Sequence, residues 1–294
     1  MRVRARSRSA RPGRSVEAGP GDVASWVPPH GGDSMDAPTL TKHLEKHLRV
    51  ATFPVGVRTL APGEPLPAKA KRPSRDLGGP VAICQGVALA RRYGWTLAFT
   101  GEDLACPIAK AAFGFEDRIP YYERGSLAEG MYAACQEAGA AFEAALPRLE
   151  RGAISAIAVG PLERVSFEPE TVVVYGNSAQ VLRLVNASLY AKGGSFTAQF
   201  TGRGDCADIV IRTRQAQAPQ LVLPCYGDRL FGLAADDELA FTFPFAMADE
   251  IVAGLEGTSK GGIRYPVPVF ALRTQPAFPP SYVELERRWR AGEE

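Results

Sequence analysis

The 294-residue chain is 46% hydrophobic and 22% charged, a composition that excludes a disordered or fibrous protein and suffices for one large domain or two medium ones. No window approaches the run of about 18 apolar residues that a membrane-spanning helix needs, and no apolar N-terminal segment resembles a secretory signal, so a cytoplasmic protein without membrane partners is expected. The formal net charge of +2 is uneven: Arg2, Arg4, Arg6, Arg8, Arg11 and Arg14 crowd the start, and residues 35–294 carry 28 basic against 29 acidic groups.

Residues 1–34 combine Arg and Ser with Pro and Gly and hold few large apolar groups, so they read as a disordered basic tail. Such a tail could bind nucleic acid or act as a transit-like peptide, but Met35 leads straight into a periodic helix, and the tail reads better as upstream sequence. The near-neutral body gives no sign of nucleic-acid binding. It reads as a single α+β domain over 35–294, with 36–150 and 151–283 as candidate sub-domains.

Leu40, Leu44 and Leu48 predict an amphipathic helix over 39–49, followed by a strand at 52–59 and a Pro- and Lys-bearing stretch at 61–80 that is either a cover or a long connection. His43 and His47 are the body's only histidines. At i and i+4 they could hold a metal, but no third ligand is near in sequence and their neighbours are Lys42, Lys46 and Arg49, which favours a solvated face. With both on a peripheral helix, Ser-His-Asp or Cys-His catalysis is disfavoured.

A helix carrying Cys84 closes at Gly94, residues 95–99 have β character, and Cys106-Pro107 opens a second helix that ends at Phe113-Gly114. Residues 126–146 predict an Ala-rich helix with Cys135 as a small core thiol. Strands follow at 154–159 and 171–175, then a helix capped by Asn177 that ends at Gly193-Gly194, and a strand at 195–201. Cys206 starts a helix-like run to about 216. Strands at 220–223 and 238–243 flank Cys225, and a helix over 246–256, stopped by Gly257, precedes an irregular tail. Loose alternation of strands and helices favours α+β, or loosely α/β, with a mixed sheet flanked by helices.

Two segments share a pattern. Cys84, helix, strand, Cys106, helix, Phe113-Gly114 parallels Cys206, helix-like run, strand, Cys225, short helix, Phe231-Gly232, with Gly101-Glu102-Asp103 as the extra residues of the first copy. An internal pseudo-repeat would bring four thiols together near helix starts, where thiolate is favoured. Two other motifs are weaker. Gly202-x-Gly204-x-x-Ala207 matches a relaxed dinucleotide fingerprint, but Asp205 would face the phosphates. Lys260 and Arg264, set around Gly261-Gly262, could clamp a phosphate or carboxylate cofactor or substrate.

Tyr175-Gly-Asn-Ser-Ala-Gln180-Val, Gly204-Asp-Cys206, Leu223-Pro-Cys225-Tyr-Gly-Asp-Arg229-Leu-Phe-Gly and Gly257-Thr-Ser-Lys-Gly-Gly-Ile-Arg-Tyr-Pro266 resemble the conserved family known as domain of unknown function 169, over roughly residues 40–283. The resemblance implies a prokaryotic cytoplasmic protein whose shared motif includes Cys84, Cys106, Cys206 and Cys225 but not Cys135. It implies no activity.

These readings converge on a thiolate-ligated metal centre with Cys84, Cys106, Cys206 and Cys225 as ligands, a [4Fe–4S] cluster ahead of structural zinc, serving redox chemistry with a protein partner or Lewis-acid chemistry on a small anionic substrate. Two alternatives stand. One is a metal-free enzyme in which Cys225 is the nucleophile, tuned by Asp228 and Arg229. The other is a module that binds a small anionic ligand.

Overall fold

The structure is a computed structural model that describes residues 35–267 and 278–293. The N-terminal tail assigned to 1–34 lies outside the described residues. The elements run α1 (Ala37–Leu48), β1 (Val55–Leu60), α2 (Pro73–Asp76), α3 (Ile83–Tyr93), β2 (Leu97–Phe99), α4 (Pro107–Ala112), α5 (Pro120–Glu123), α6 (Gln136–Ala145), β3 (Ala156–Pro161), β4 (Thr171–Gly176) and α7 (Ser178–Leu189). They continue with α8 (Asp205–Ala207), a π-turn (Asp208–Arg212), α9 (Thr213–Ala216), β5 (Gln220–Val222), α10 (Tyr226–Phe231), β6 (Leu239–Pro244), α11 (Ala248–Lys260) and α12 (Pro280–Ala291).

The six strands form one open sheet in the order β2-β3-β1-β4-β6-β5, with helices on both faces, an α+β fold. Every strand pair is antiparallel, where a mixed sheet was expected; parallel contact is confined to isolated bridges such as Lys71 with Leu97 and Val81 with Leu104. The apolar runs of β3 and β4 follow from burial on both sides. Val173 and Tyr175 face a core shared with Ile83, Val87, Phe113 and Ile211, while Val172 and Val174 face Leu44, Leu184, Phe243 and Ile251.

The sheet is twofold symmetric in topology. Exchanging β1, β2, β3 with β4, β5, β6 returns the same strand order read from the other edge. The registers also match: Val55 pairs with Pro161 as Thr171 pairs with Pro244, and Leu97 with Val159 as Gln220 with Thr242. Each proline is followed by a 3-10 turn, Leu162–Arg164 or Phe245–Met247. The two triplets meet only through β1 and β4, where Val55–Val173 and Val57–Thr171 flank a central Gly56–Val172 pair. The pseudo-repeat read from the cysteine spacing is therefore a repeat of the sheet. The extra residues of its first copy form the 3-10 turn Gly101–Asp103.

Several expectations need correction. Residues 195–201 form no strand: Phe196 anchors on Phe241, but no ladder partner lies alongside. The 126–146 helix begins only at Gln136, because Gly125 and Gly130 take left-handed backbone and turn the chain, which leaves Cys135 as an exposed N-cap rather than a core thiol. Gly257 does not end its helix. A Cβ there would run into the Tyr190 ring, and one on Gly254 into the Ala187 backbone, so both glycines let α11 approach α7 closely while the helix continues to Lys260. The C-terminal segment is not irregular throughout: α12 begins at Pro280 and carries ion pairs Arg288–Glu284 at 3.0 Å and Arg290–Glu286 at 2.5 Å. The 61–80 stretch is a connection, docked along β2 through Lys71 and tied down by Arg72 Nε, which donates to Asp103 Oδ2 at 2.6 Å.

Candidate functional site

Four helix starts place the four thiols. Cys84 is the second residue of α3, whose first turn is closed by the Ala82 amide donating to Gln85 Oε1 at 2.8 Å. Cys106 is the N-cap of α4, with Pro107 at the first helical position. Cys206 lies in the short turn of α8, entered through Gly204 in left-handed backbone, and Cys225 is the N-cap of α10. All four line one cavity of about 580 Å3 on the Tyr175 face of the sheet, two contributed by each half of the repeat. Cys84 Sγ points at the Gly227 carbonyl, 3.8 Å away across the seam between the halves.

Beside Cys225 lies a buried acid pair. Asp205 accepts from the Cys225 amide and from its thiol, each at 3.2 Å. Tyr175 Oη donates to Asp228 Oδ2 at 2.7 Å, and the Asp228 and Asp205 carboxyls share a hydrogen bond. Burial, with Asp205 close by, pushes Asp228 up to about 8; burial also raises Asp205. Behind Tyr175, the buried Arg91 lies over its ring at 4.2 Å and grips Glu238 through two bonds of 2.6 and 2.9 Å. Tyr175, Asp205, Arg91 and Glu238 were missed as site residues in the sequence. Tyr175 and Asp205 stand inside the quoted motifs, whereas nothing local marks Arg91 or Glu238.

The helix starts do not favour thiolate. Burial raises Cys84 and Cys206, and burial together with Asp205 raises Cys225 to about 11. Desolvation of a charge outweighs the half-charge of a helix end. Cys206 is also raised by Asp205, Cys106, Cys84 and Cys225, which reflects how closely the thiols share this space.

The mouth is apolar. Leu127, Met131, Tyr132, Tyr226, Leu230 and Phe231 form its rim, with Met131 74% and Tyr226 68% exposed. The one cation of the lining, Arg203, is ion-paired with Glu143 and stacked on Tyr132, so it is not presented to an anion. Lys260 and Arg264 are absent from the lining; Arg264 Nε instead donates to the Ser259 carbonyl at 3.1 Å. Asp228 acts on Cys225 both through the hydrogen bond of its own backbone, which lowers the thiol, and through Asp205. Arg229 Nη1 donates to the Ala235 carbonyl at 2.8 Å and lies outside the cavity lining. Asp205 contacts Cys225 rather than any phosphate site, which removes the dinucleotide reading of Gly202 and Gly204.

No described helix is long and apolar enough to cross a membrane. No solved structure matches the chain. An uncharacterised protein of Methanocaldococcus jannaschii is 36% identical over 113 residues, a match that covers 38% of this chain and 48% of the relative, so the shared stretch spans about half of that protein. Residues 43–254, which include all four cavity cysteines and both carboxyls, match the family model described as uncharacterised ArCR, and the chain belongs to that family, domain of unknown function 169.

Proposed function

We propose that Cys84, Cys106, Cys206 and Cys225 hold an iron–sulfur cluster, in first place [4Fe–4S], that serves electron transfer or, with one iron open, Lewis-acid chemistry. The observation that carries this reading is the convergence of the four sequence-distant thiols on one cavity. A cluster is favoured over structural zinc because structural zinc staples small modules through closely spaced ligand pairs, whereas these four thiols are far apart in a chain large enough to build its own core. Raised thiols fit the same reading, since buried thiolates need a bound cation to offset their desolvation.

The metal-free alternative is weaker. A Cys225 thiol at about 11 leaves only about one molecule in ten thousand as thiolate at neutral pH. A small anionic ligand also meets poor complementarity, because the lining carries Asp205 while its one cation, Arg203, is ion-paired with Glu143. The apolar rim suits either a redox partner's surface or an apolar substrate.

Anaerobic purification of the full chain tests the proposal. Brown protein with broad visible absorption, iron and acid-labile sulfide is the expected result. One zinc per chain without sulfide would replace the cluster with a structural site. A colourless, metal-free protein after iron and sulfide reconstitution would overturn the metal centre and leave the thiol enzyme in front.

A further inference from the structure

On the opposite face of the sheet, α1 lays both body histidines against α11. His43 and His47 stack with ring centroids 6.4 Å apart and planes 7° from parallel. The third ligand that the sequence lacked nearby comes from α11: Glu256 Oε1 stands 3.4 Å from His43 Nδ1. One ligand atom from each of His43, His47 and Glu256 falls within a sphere of contacts no longer than 4.8 Å, the only such trio among the described residues.

Two features make this more than an exposed pair of histidines. His43 Nδ1 and His47 Nε2 are both shut off from solvent and neither has a hydrogen-bond partner, an arrangement that costs free energy unless something binds them. The 3.4 Å gap between His43 Nδ1 and Glu256 Oε1 is long for a hydrogen bond. It equals the tetrahedral edge of about 3.4 Å that metal bonds of about 2.0–2.1 Å produce. The remaining nitrogen of His47 is also accounted for: Nδ1 lies 3.1 Å from Ser259 Oγ, which accepts from Arg183 Nη2 at 2.8 Å. If Nδ1 donates to that oxygen, the lone pair of Nε2 is left for a metal, and Ser259 holds the ring as outer-shell partners of metal-bound histidines do.

The geometry points to a second metal site, separate from the cysteine cavity, in which His43 Nδ1, His47 Nε2 and Glu256 Oε1 bind a divalent transition metal, zinc(II) by ligand type, with water completing the shell. His43 and Glu256 side chains are 22% and 24% exposed, which leaves a path for that water. The ion would clamp α1 to α11, joining the N-terminal helix of the family region to the last helix packed on the sheet.

Cobalt(II) is the probe, because its spectrum reports its ligands. Titrated into the full chain, any cobalt taken by the thiols shows intense near-ultraviolet charge transfer, and the histidine site should add d–d bands for one further ion per chain that lack it. These bands should vanish in His43→Gln and His47→Gln and persist in Cys106→Ser and Cys225→Ser. Zinc should raise the melting temperature of the parent protein by more than that of His47→Gln. Bands that survive in both Gln variants, or that are missing from a folded parent chain, would overturn the site, and neither outcome bears on the thiolate centre.

Discussion

Tyr175 Oη and Asp228 Oδ2, 2.7 Å apart and both buried, join β4, the strand of the second half-sheet that meets β1, to the first turn of α10. The bond ties the acid beside the cysteines to the core of the fold, so protonation of that acid is coupled to folding.

Asp228, ordinarily near 3.8, is raised to about 8. A carboxyl raised on folding is protonated in the native state, so its contribution is fully present below the ordinary carboxylate range and is lost as pH rises towards 8. Urea unfolding of the metal-free protein should therefore show stability falling across that window, by on the order of a few kcal/mol. Asp228→Asn should flatten the profile. An unchanged slope would place the titration elsewhere.

Removing Glu238 strands a charge. Arg91 is only 1% exposed and has its two carboxylate bonds to this one side chain, so Glu238→Ala should destabilise the fold by about 3 kcal/mol. Replacing Arg91 and Glu238 together with apolar residues should cost less than the single change. Chemical denaturation of the three variants measures the difference.

Cysteine variants should separate by position. Cys206→Ser, fully within the site, should lower iron content sharply, and Cys225→Ser most of all, since Pro224 and Gly227 fix the turn around it. Cys135→Ala should leave both iron content and stability within about 0.5 kcal/mol of the parent, because that thiol is exposed and fills no core space. Loss of iron on changing Cys135 would require new ligand assignments.

Gly254→Ala tests the contact between α7 and α11. The added methyl would meet the Ala187 backbone, which cannot move aside as a side chain can. The helices must separate, at about 1–3 kcal/mol, despite the better helix propensity of alanine. Thermal unfolding should show a lower midpoint.

Much of this was legible where the signal is local. The leucine spacing of α1 and the Asn177 cap read directly from the chain, and the Cys spacing already contained the repeat that the strand registers display. The rest depends on neighbours remote in sequence. Gly257 looks like a helix stop until Tyr190 lies against it, and the alternation at 195–201 finds no strand to pair with. The antiparallel sense of the sheet is likewise set by how the halves associate. The acid pair escaped notice because Asp205 and Asp228 meet only when two helix starts converge, and Glu256 reaches the histidines from a helix at the far end of the family region.

The seam through Gly56 and Val172 holds three residue pairs, while the thiols facing each other above it belong to opposite halves. A cluster bound by all four would act as a rivet across two leaves of one sheet. Its loss should then be felt first as faster amide exchange at Val55, Val57 and Val173, long before the outer strands loosen, so the state of the metal would be written into the mechanical continuity of the protein.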